Sequence, residues 1–88
     1  MELEQLRIFA AVAQSGGFTA AAAKLYISHS TVSRTVAALE EELGVRLVER
    51  NNHVVGLTAA GKVLLEETEA LLTAADCAAA RVKAAGIR

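Results

Sequence analysis

The sequence has no proline or tryptophan, one cysteine and three aromatic residues. A single cysteine excludes an internal disulfide framework. Three aromatic side chains are too few to build a base-stacking surface of the kind that binds single-stranded nucleic acid. No apolar stretch approaches the roughly 20 residues that a membrane-spanning helix needs, and no secretory leader is evident. We therefore expect a cytoplasmic protein that has no membrane span and does not read single strands.

Alanine supplies much of the 53% hydrophobic content. Small side chains and the lack of proline favour helices that pack closely, so a mostly α fold is predicted. Eighty-eight residues form one small domain. A domain of this size buries on the order of 60% of the surface of its unfolded chain. Its stability is marginal, and dimerisation would add to it.

The net charge of −1 argues mildly against nucleic-acid binding, because nucleic-acid-binding proteins are ordinarily basic. Six of the ten acidic residues, however, fall in two clusters, at residues 40–42 and 66–69. The local field can therefore differ from the net charge. Glu40, Glu41 and Glu42 point in different directions on a helix and have no histidine or cysteine beside them. We predict a solvated helix face there, with no metal site and no cofactor in the protein.

Two helices are predicted before residue 28. Leu3, Leu6 and Ala13 have helical spacing, and Gly16-Gly17 then interrupts the pattern. A short alanine-rich helix is predicted over residues 19–25. Ser28 is placed to cap the helix that follows.

The helix predicted over residues 28–43 has an apolar side and a side with small polar groups. The apolar positions are spaced by four, three and four residues, so this face is expected to be buried. Its members are Val32, Val36, Leu39 and Leu43. On the opposite side, Ser30, Ser33 and Arg34 occupy positions where a solvated helix usually carries glutamate and lysine. This arrangement, after a very short break from the preceding helix, is typical of a helix that reads DNA.

A β-hairpin is predicted from Val45 to Leu57, after Gly44 has ended the helix. Apolar residues alternate with polar ones along this segment. Asn51 and Asn52 tolerate positive φ at the tip, and Gly56 is expected to mark a bulge in the returning strand. A hairpin in this position is a wing.

From Thr58, a predicted N-cap, nothing interrupts a helix until about Ala85, and Gly86 is expected to end it. At ~1.5 Å per residue, this helix measures on the order of 40 Å, which exceeds what a small core needs. Its heptad-like apolar stripe predicts pairing with a second helix. Cys77, within this stripe region, is predicted to be a small buried or interface residue. The residues assigned to the dimer interface are Leu64, Leu65, Thr68, Leu71, Leu72, Ala75, Ala78 and Val82.

Taken together, these segments resemble the N-terminal DNA-binding region of LysR-type transcriptional regulators. The resemblance rests on LEQLRIFAAVAQSGGFTAAAAKL from Leu3, ISHSTVSRTVAALEEELGVRLVER from Ile27 and LTAAGKVLL from Leu57, in the family's order and spacing. It implies a winged helix-turn-helix of three helices and a two-stranded hairpin over residues 1–57. A linker helix that pairs two chains would occupy residues 58–88. The family's effector-binding domain, which follows the linker helix, is not in this sequence.

The resemblance also implies roles for individual residues. His29, Ser30, Ser33 and Arg34 match the positions that read bases, and Arg50 matches a wing contact to phosphate or the minor groove. His29-Ser30 stands where the family commonly has Gln-Pro, so the family's base preference is not transferred. The further candidates for phosphate or wing contacts are Thr19, Lys24, Thr31, Thr35, His53 and Lys62. Lys24 and Lys62 are equally well explained as surface lysines, and His53 as an exposed turn residue.

The function implied is sequence-specific binding of double-stranded DNA by a bacterial transcriptional regulator. A homodimer through the linker helix, or a tetramer in a full-length protein, would engage a roughly palindromic site. No acid-base-nucleophile constellation exists, so no enzyme and no catalytic residue is predicted. The alternative is a winged-helix protein-interaction module without DNA binding, which the net charge and the neutral tip of the wing would favour.

Overall fold

The computed structural model describes residues 1–51 and 54–86, and it describes side chains for residues 1–49 and 56–86. Within these ranges the chain is mostly helical and carries one two-stranded antiparallel hairpin. The elements are α1 (Leu3–Ser15), α2 (Phe18–Leu25), α3 (His29–Leu43), β1 (Val48–Asn51), β2 (Val54–Leu57) and α4 (Ala59–Ala85). The predicted winged helix-turn-helix, followed by a long helix, is confirmed.

The predicted helix ends are confirmed by the capping geometry. Gly16 ends α1 and Gly44 ends α3, both with positive φ. The Oγ of Ser28 accepts a hydrogen bond from the Thr31 N–H at 3.1 Å, and the Thr58 hydroxyl accepts one from the Gly61 N–H at 3.0 Å. Each interaction satisfies one of the backbone donors that a helix leaves without partners in its first turn. One boundary differs: α2 begins at Phe18 rather than Thr19.

The core lies where α1, α2 and α3 meet and is closed by the base of the wing. The side chain of Phe9 in α1 is fully buried, as are those of Val32, Val36 and Leu39 in α3. The prediction that Leu43 completes this buried face is wrong, because its side chain is 39% exposed. Leu43 is the last residue of α3 and lies at the end of the packed surface.

The wing is shorter and more regular than predicted. β1 begins at Val48 rather than Val45, which is exposed in the turn after α3. The pairing runs without interruption from Val48 opposite Leu57 to Asn51 opposite Val54. Gly56 pairs with Glu49 within this register, so the predicted bulge is wrong. The sequence pattern of one glycine did not distinguish a bulge from an ordinary strand position.

The first half of α4 belongs to the core, and the second half stands clear of it. The first half packs on α1 and β2, whereas every residue from 76 to 86 is exposed. The chain accordingly measures 55 Å along its longest axis and 26 Å and 19 Å across. Among the described residues, no helix is both long enough and apolar enough to span a membrane.

The packing of α4 corrects part of the predicted dimer interface. Thr68 has no exposed surface in the single chain, so it faces the chain's own core and offers nothing to a second copy. Leu64 and Leu65 are half-buried and also pack against the core. Thr68 fits the heptad spacing, but it lies about 60° around the helix from Leu71. That angle separates the buried face that carries Thr68 from the neighbouring face that carries the exposed Leu71.

Candidate nucleic-acid interface

The start of α3 is held in a defined position by its cap and by α2. The ring of Phe18, the first residue of α2, meets the ring of His29, the first residue of α3, edge to face with the ring centroids 5.9 Å apart. Phe18 is buried, whereas His29 is exposed. The N-terminal ends of the two helices therefore lie side by side. Both ends carry the partial positive charge that favours anionic groups such as phosphates.

The predicted base-reading residues lie in the first two turns of α3. Ser30 and Arg34 are exposed, and Ser33 is half-buried. The Nε of Arg34 donates to the backbone carbonyl of Ser30 at 3.3 Å, which holds the guanidinium against its own helix. The two terminal nitrogens remain available to make the paired hydrogen bonds that recognise guanine O6 and N7 or a phosphate.

Two of the predicted phosphate contacts use their hydroxyls within the helix. The Thr35 hydroxyl donates to the Thr31 carbonyl at 2.8 Å. The Thr31 hydroxyl lies 2.8 Å from Ser28 Oγ, and its backbone N–H donates to the same atom. Both threonines are half-buried. A contact from the Thr35 hydroxyl to a phosphate would compete with its hydrogen bond to the Thr31 carbonyl, whereas either hydroxyl of the Thr31–Ser28 pair can be the donor. Both phosphate contacts stay predictions.

The charge distribution favours the N-terminal part of α3 as the contact surface. Its residues from His29 to Leu39 include Arg34 and no carboxylate. The glutamates of this helix lie at its C-terminal end. Thr19, Lys24 and Lys62 are exposed, so they are accessible to a phosphate, and their contacts stay predictions. The net charge of −1 thus arises from acidic residues grouped elsewhere, mainly at residues 40–42 and 66–69.

The structure describes fewer side chains in the wing than in α3. The backbone of Arg50 lies in β1, where it pairs with Val55. Its side chain and the whole of His53 lie outside the described residues, so the wing contacts assigned to them stay predictions. The flanking Arg46 is exposed at the base of the wing, and the Glu40 carboxylate, 3.6 Å from its Nε, offsets part of its positive charge.

Sequence reasoning missed Glu40, which it placed on a solvated face. Its side chain is only 15% exposed, and its Oε2 accepts hydrogen bonds from the backbone N–H groups of Leu47 and Val48. The signal was present in the spacing. Glu40 follows the buried Val36 by four residues, which places both on the same side of the helix.

The structure offers little to metal or thiol chemistry in the part of the chain that it describes. No group of three metal-ligating side chains occurs among those residues. Cys77 is exposed on α4, so of its two predicted environments the chain's own interior is wrong, and a position at an interface stays a prediction. Cys77 lies in the second half of α4, which does not pack against the core, and this explains its exposure.

Comparison with known proteins identifies the family. Residues 3–62 match the model of the bacterial regulatory helix-turn-helix protein, lysR family. The HTH-type transcriptional regulator TfdT of Cupriavidus pinatubonensis is 44% identical over 85 residues, covering 97% of this chain and 37% of that protein. The HTH-type transcriptional regulator ClcR of Pseudomonas putida is 46% identical over 85 residues, covering 97% of this chain and 29% of that protein. The chain thus spans about a third of these relatives.

Solved structures agree in fold. The structure of the CbnR_DBD–DNA complex has a TM-score of 0.94 at 41% sequence identity and covers 99% of this chain and 100% of that chain. The BenM_DBD/benA site 1 DNA complex has a TM-score of 0.94 at 38% identity, covering 98% of this chain and 100% of that chain. From both the sequence match and the shared fold, we conclude that this chain belongs to the LysR family of bacterial regulatory helix-turn-helix proteins.

Proposed function

We propose that this chain binds double-stranded DNA sequence-specifically as the DNA-binding part of a bacterial LysR-type transcriptional regulator. One observation carries the proposal. The helix α3 is buried along one side and presents Ser30 and Arg34 on the other, in its carboxylate-free first turns. The likeness to two DNA-binding domains solved with DNA supports it. Such a regulator would act on the chromosome, in the cytoplasm, and would need no catalytic residues.

In this proposal α3 enters the major groove. The terminal nitrogens of Arg34 pair with a guanine, and the hydroxyls of Ser30 and Ser33 donate to or accept from base edges. His29 lies at the helix start, where a base edge or a phosphate is within reach. Because Arg34 is already held by the Ser30 carbonyl, less side-chain entropy is lost when it binds.

Contacts to phosphates would fix the position of the chain on the duplex. Thr19 and Lys24 of α2 and Lys62 of α4 are exposed and suited to this role, and Arg50 would add a contact from the wing. Such contacts carry no sequence information directly, but they set the register of the helix in the groove.

Dimerisation would use the open face of α4. The side chains of Leu71 and Val82 are 43% and 71% exposed, and Ala78 lies exposed between them. Leu72 and Ala75 are half-buried and would flank this surface. Pairing of two such helices would relate two copies of α3 by a two-fold axis, so the bound site would be roughly palindromic. A full-length protein could assemble further into a tetramer.

A salt titration of binding to duplex DNA tests the proposal. Purified protein is mixed with a fluorescent mixed-sequence duplex, and the dissociation constant is measured from about 20 to 200 mM salt. We expect binding at low salt that weakens steeply as salt rises, because neutralised phosphates release condensed counterions. Circular dichroism confirms that the protein is folded. A folded protein that binds no duplex at the lowest salt would contradict the proposal and favour the protein-interaction module.

A further inference from the structure

The carboxylate of Glu40 connects α3 to the segment that leads into the wing. Its Oε2 accepts the Leu47 N–H at 2.8 Å and the Val48 N–H at 3.4 Å. The same oxygen lies 3.6 Å from Nε of Arg46. Three consecutive residues at the base of the wing are therefore held by one side chain of α3.

The environment of Leu47 makes this connection costly to lose. The Leu47 side chain is 1% exposed, and its backbone N–H has the Glu40 carboxylate as its partner. A backbone donor shielded from water and left without an acceptor is strongly unfavourable. A hydrogen bond to an ionised acceptor is also stronger than one between neutral groups.

The other side of the same segment is attached to Thr58, the N-cap residue of α4. The backbone carbonyl of Leu47 accepts the Thr58 N–H at 3.1 Å, and the Arg46 carbonyl accepts the Thr58 hydroxyl at 2.6 Å. The segment of residues 46–48 is thus fixed to α3 through its N–H groups and to α4 through its carbonyls. These contacts determine the direction in which the wing leaves the body of the domain.

We propose that Glu40 is a positioning residue for DNA binding: it sets the wing relative to α3 and does not itself touch DNA. The inference rests on the proposed function. Two elements that contact one duplex must be held at the spacing that the grooves and phosphates dictate, and preorganisation of that spacing raises affinity. Loss of the Glu40 carboxylate would let the wing vary its direction while the base-reading face of α3 stays intact.

Glu41 provides a matched control. It is the next residue of the same helix, carries the same charge and is exposed. Glu41→Gln therefore changes the net charge as Glu40→Gln does, without removing an acceptor for the wing. Any general effect of reduced repulsion from DNA will be common to both variants.

Amide hydrogen exchange in the absence of DNA tests the structural half of the proposal. We expect the Leu47 and Val48 N–H groups to lose most of their protection in Glu40→Ala. Glu40→Gln keeps one oxygen acceptor and should keep more protection, and Glu41→Gln should match the wild type. Unchanged protection of both amides in a folded Glu40→Ala protein would overturn the proposal. If Glu40→Ala fails to fold, the comparison of Glu40→Gln with Glu41→Gln decides.

Double-mutant cycles with DNA test the functional half. We expect Glu40→Gln to weaken binding to a mixed-sequence duplex relative to Glu41→Gln, by about tenfold if a preorganised contact is lost. Arg50→Ala removes the wing contact that the sequence predicts, so in that background the loss should shrink to about twofold or less. In an Arg34→Ala background it should persist.

The outcomes separate this inference from the proposed function. Equal losses in the Arg50→Ala and Arg34→Ala backgrounds would overturn the role of Glu40 in positioning the wing. If the folded wild type binds no duplex, the proposed function fails and the role in DNA binding fails with it. The exchange measurement would still show whether Glu40 holds the wing.

Discussion

Gly61 of α4 lies directly against the backbone carbonyl of Leu47, so that any Cβ at position 61 would overlap that oxygen. The contact places the first turn of α4 against the base of the wing. The carbonyl cannot swing away, because it also accepts the Thr58 N–H. Glycine at position 61 is therefore required by close approach of two backbones rather than by a turn.

Gly61→Ala is expected to destabilise the fold by about 1–3 kcal/mol, the usual cost of overpacking. The gain in helix propensity from alanine offsets only part of this cost. Urea unfolding followed by circular dichroism measures the free energy of unfolding. Gly56→Ala is the control, since a Cβ there would meet no atom within 4 Å. Equal stability of the two variants would contradict the close approach.

Thr68→Val is expected to stabilise the protein by up to about 1 kcal/mol, because the buried hydroxyl has no hydrogen-bond partner among the described residues and its removal ends a desolvation penalty. Valine nearly preserves the shape. Thermal unfolding at fixed protein concentration provides the measurement. Thr73→Val, at an exposed position of the same helix, should change little. A clear loss of stability in Thr68→Val would mean that the hydroxyl is paired.

Ser28→Ala is expected to cost about 1 kcal/mol of stability, because the Thr31 N–H loses its capping acceptor. Ser28→Asn should restore most of the loss, since asparagine is an equally good cap. Chemical denaturation of the three proteins measures the effect. If alanine and asparagine were equally destabilising, the cap would not be the source of the stability.

Leu71→Asp is expected to dissociate the proposed dimer without unfolding the chain, because Leu71 is 43% exposed in the single chain and lies on the open face of α4. Analytical ultracentrifugation across a range of concentrations reports the change. Ala80→Asp is the matched control, since position 80 is exposed and lies on the opposite side of the helix. A dimer that survives Leu71→Asp would contradict the assigned surface.

Local patterns were sufficient to predict the elements and most of their ends. Capping residues such as Ser28 and Thr58 act on backbone groups three residues away, and the glycines that end α1 and α3 have positive φ. Such signals act within one helical turn, so they can be recognised from residues that are close together in the sequence. The HTH motif and the wing followed in the same way; the family match confirmed the motif, and the observed hairpin confirmed the wing.

Contacts between elements were not predictable in this way. The spacing of Glu40 from the buried Val36 places it on the packed side of α3, but nothing in the sequence indicates that its carboxylate accepts hydrogen bonds from the base of the wing. Thr68 fitted the heptad spacing, yet it is fully buried in the single chain, because helical periodicity does not reveal which of two adjacent faces meets the core. Gly61 carried no sign of the carbonyl that approaches it. Each of these three contacts depends on how elements that are distant in the sequence pack against one another.

The measurement that tests the central claim most directly is selection of genomic fragments bound by the purified wild-type protein and by Arg34→Ala, at low and moderate salt. We predict that the wild type enriches an inverted repeat. Loss of the Arg34 guanidinium should cost about 1–3 kcal/mol of discrimination at one base pair, so the base preference at that position of the repeat should weaken. Binding should also become weaker overall and remain salt-sensitive. The same repeat, equally well defined with both proteins, or no enrichment by a folded wild-type dimer at low salt, would contradict the account.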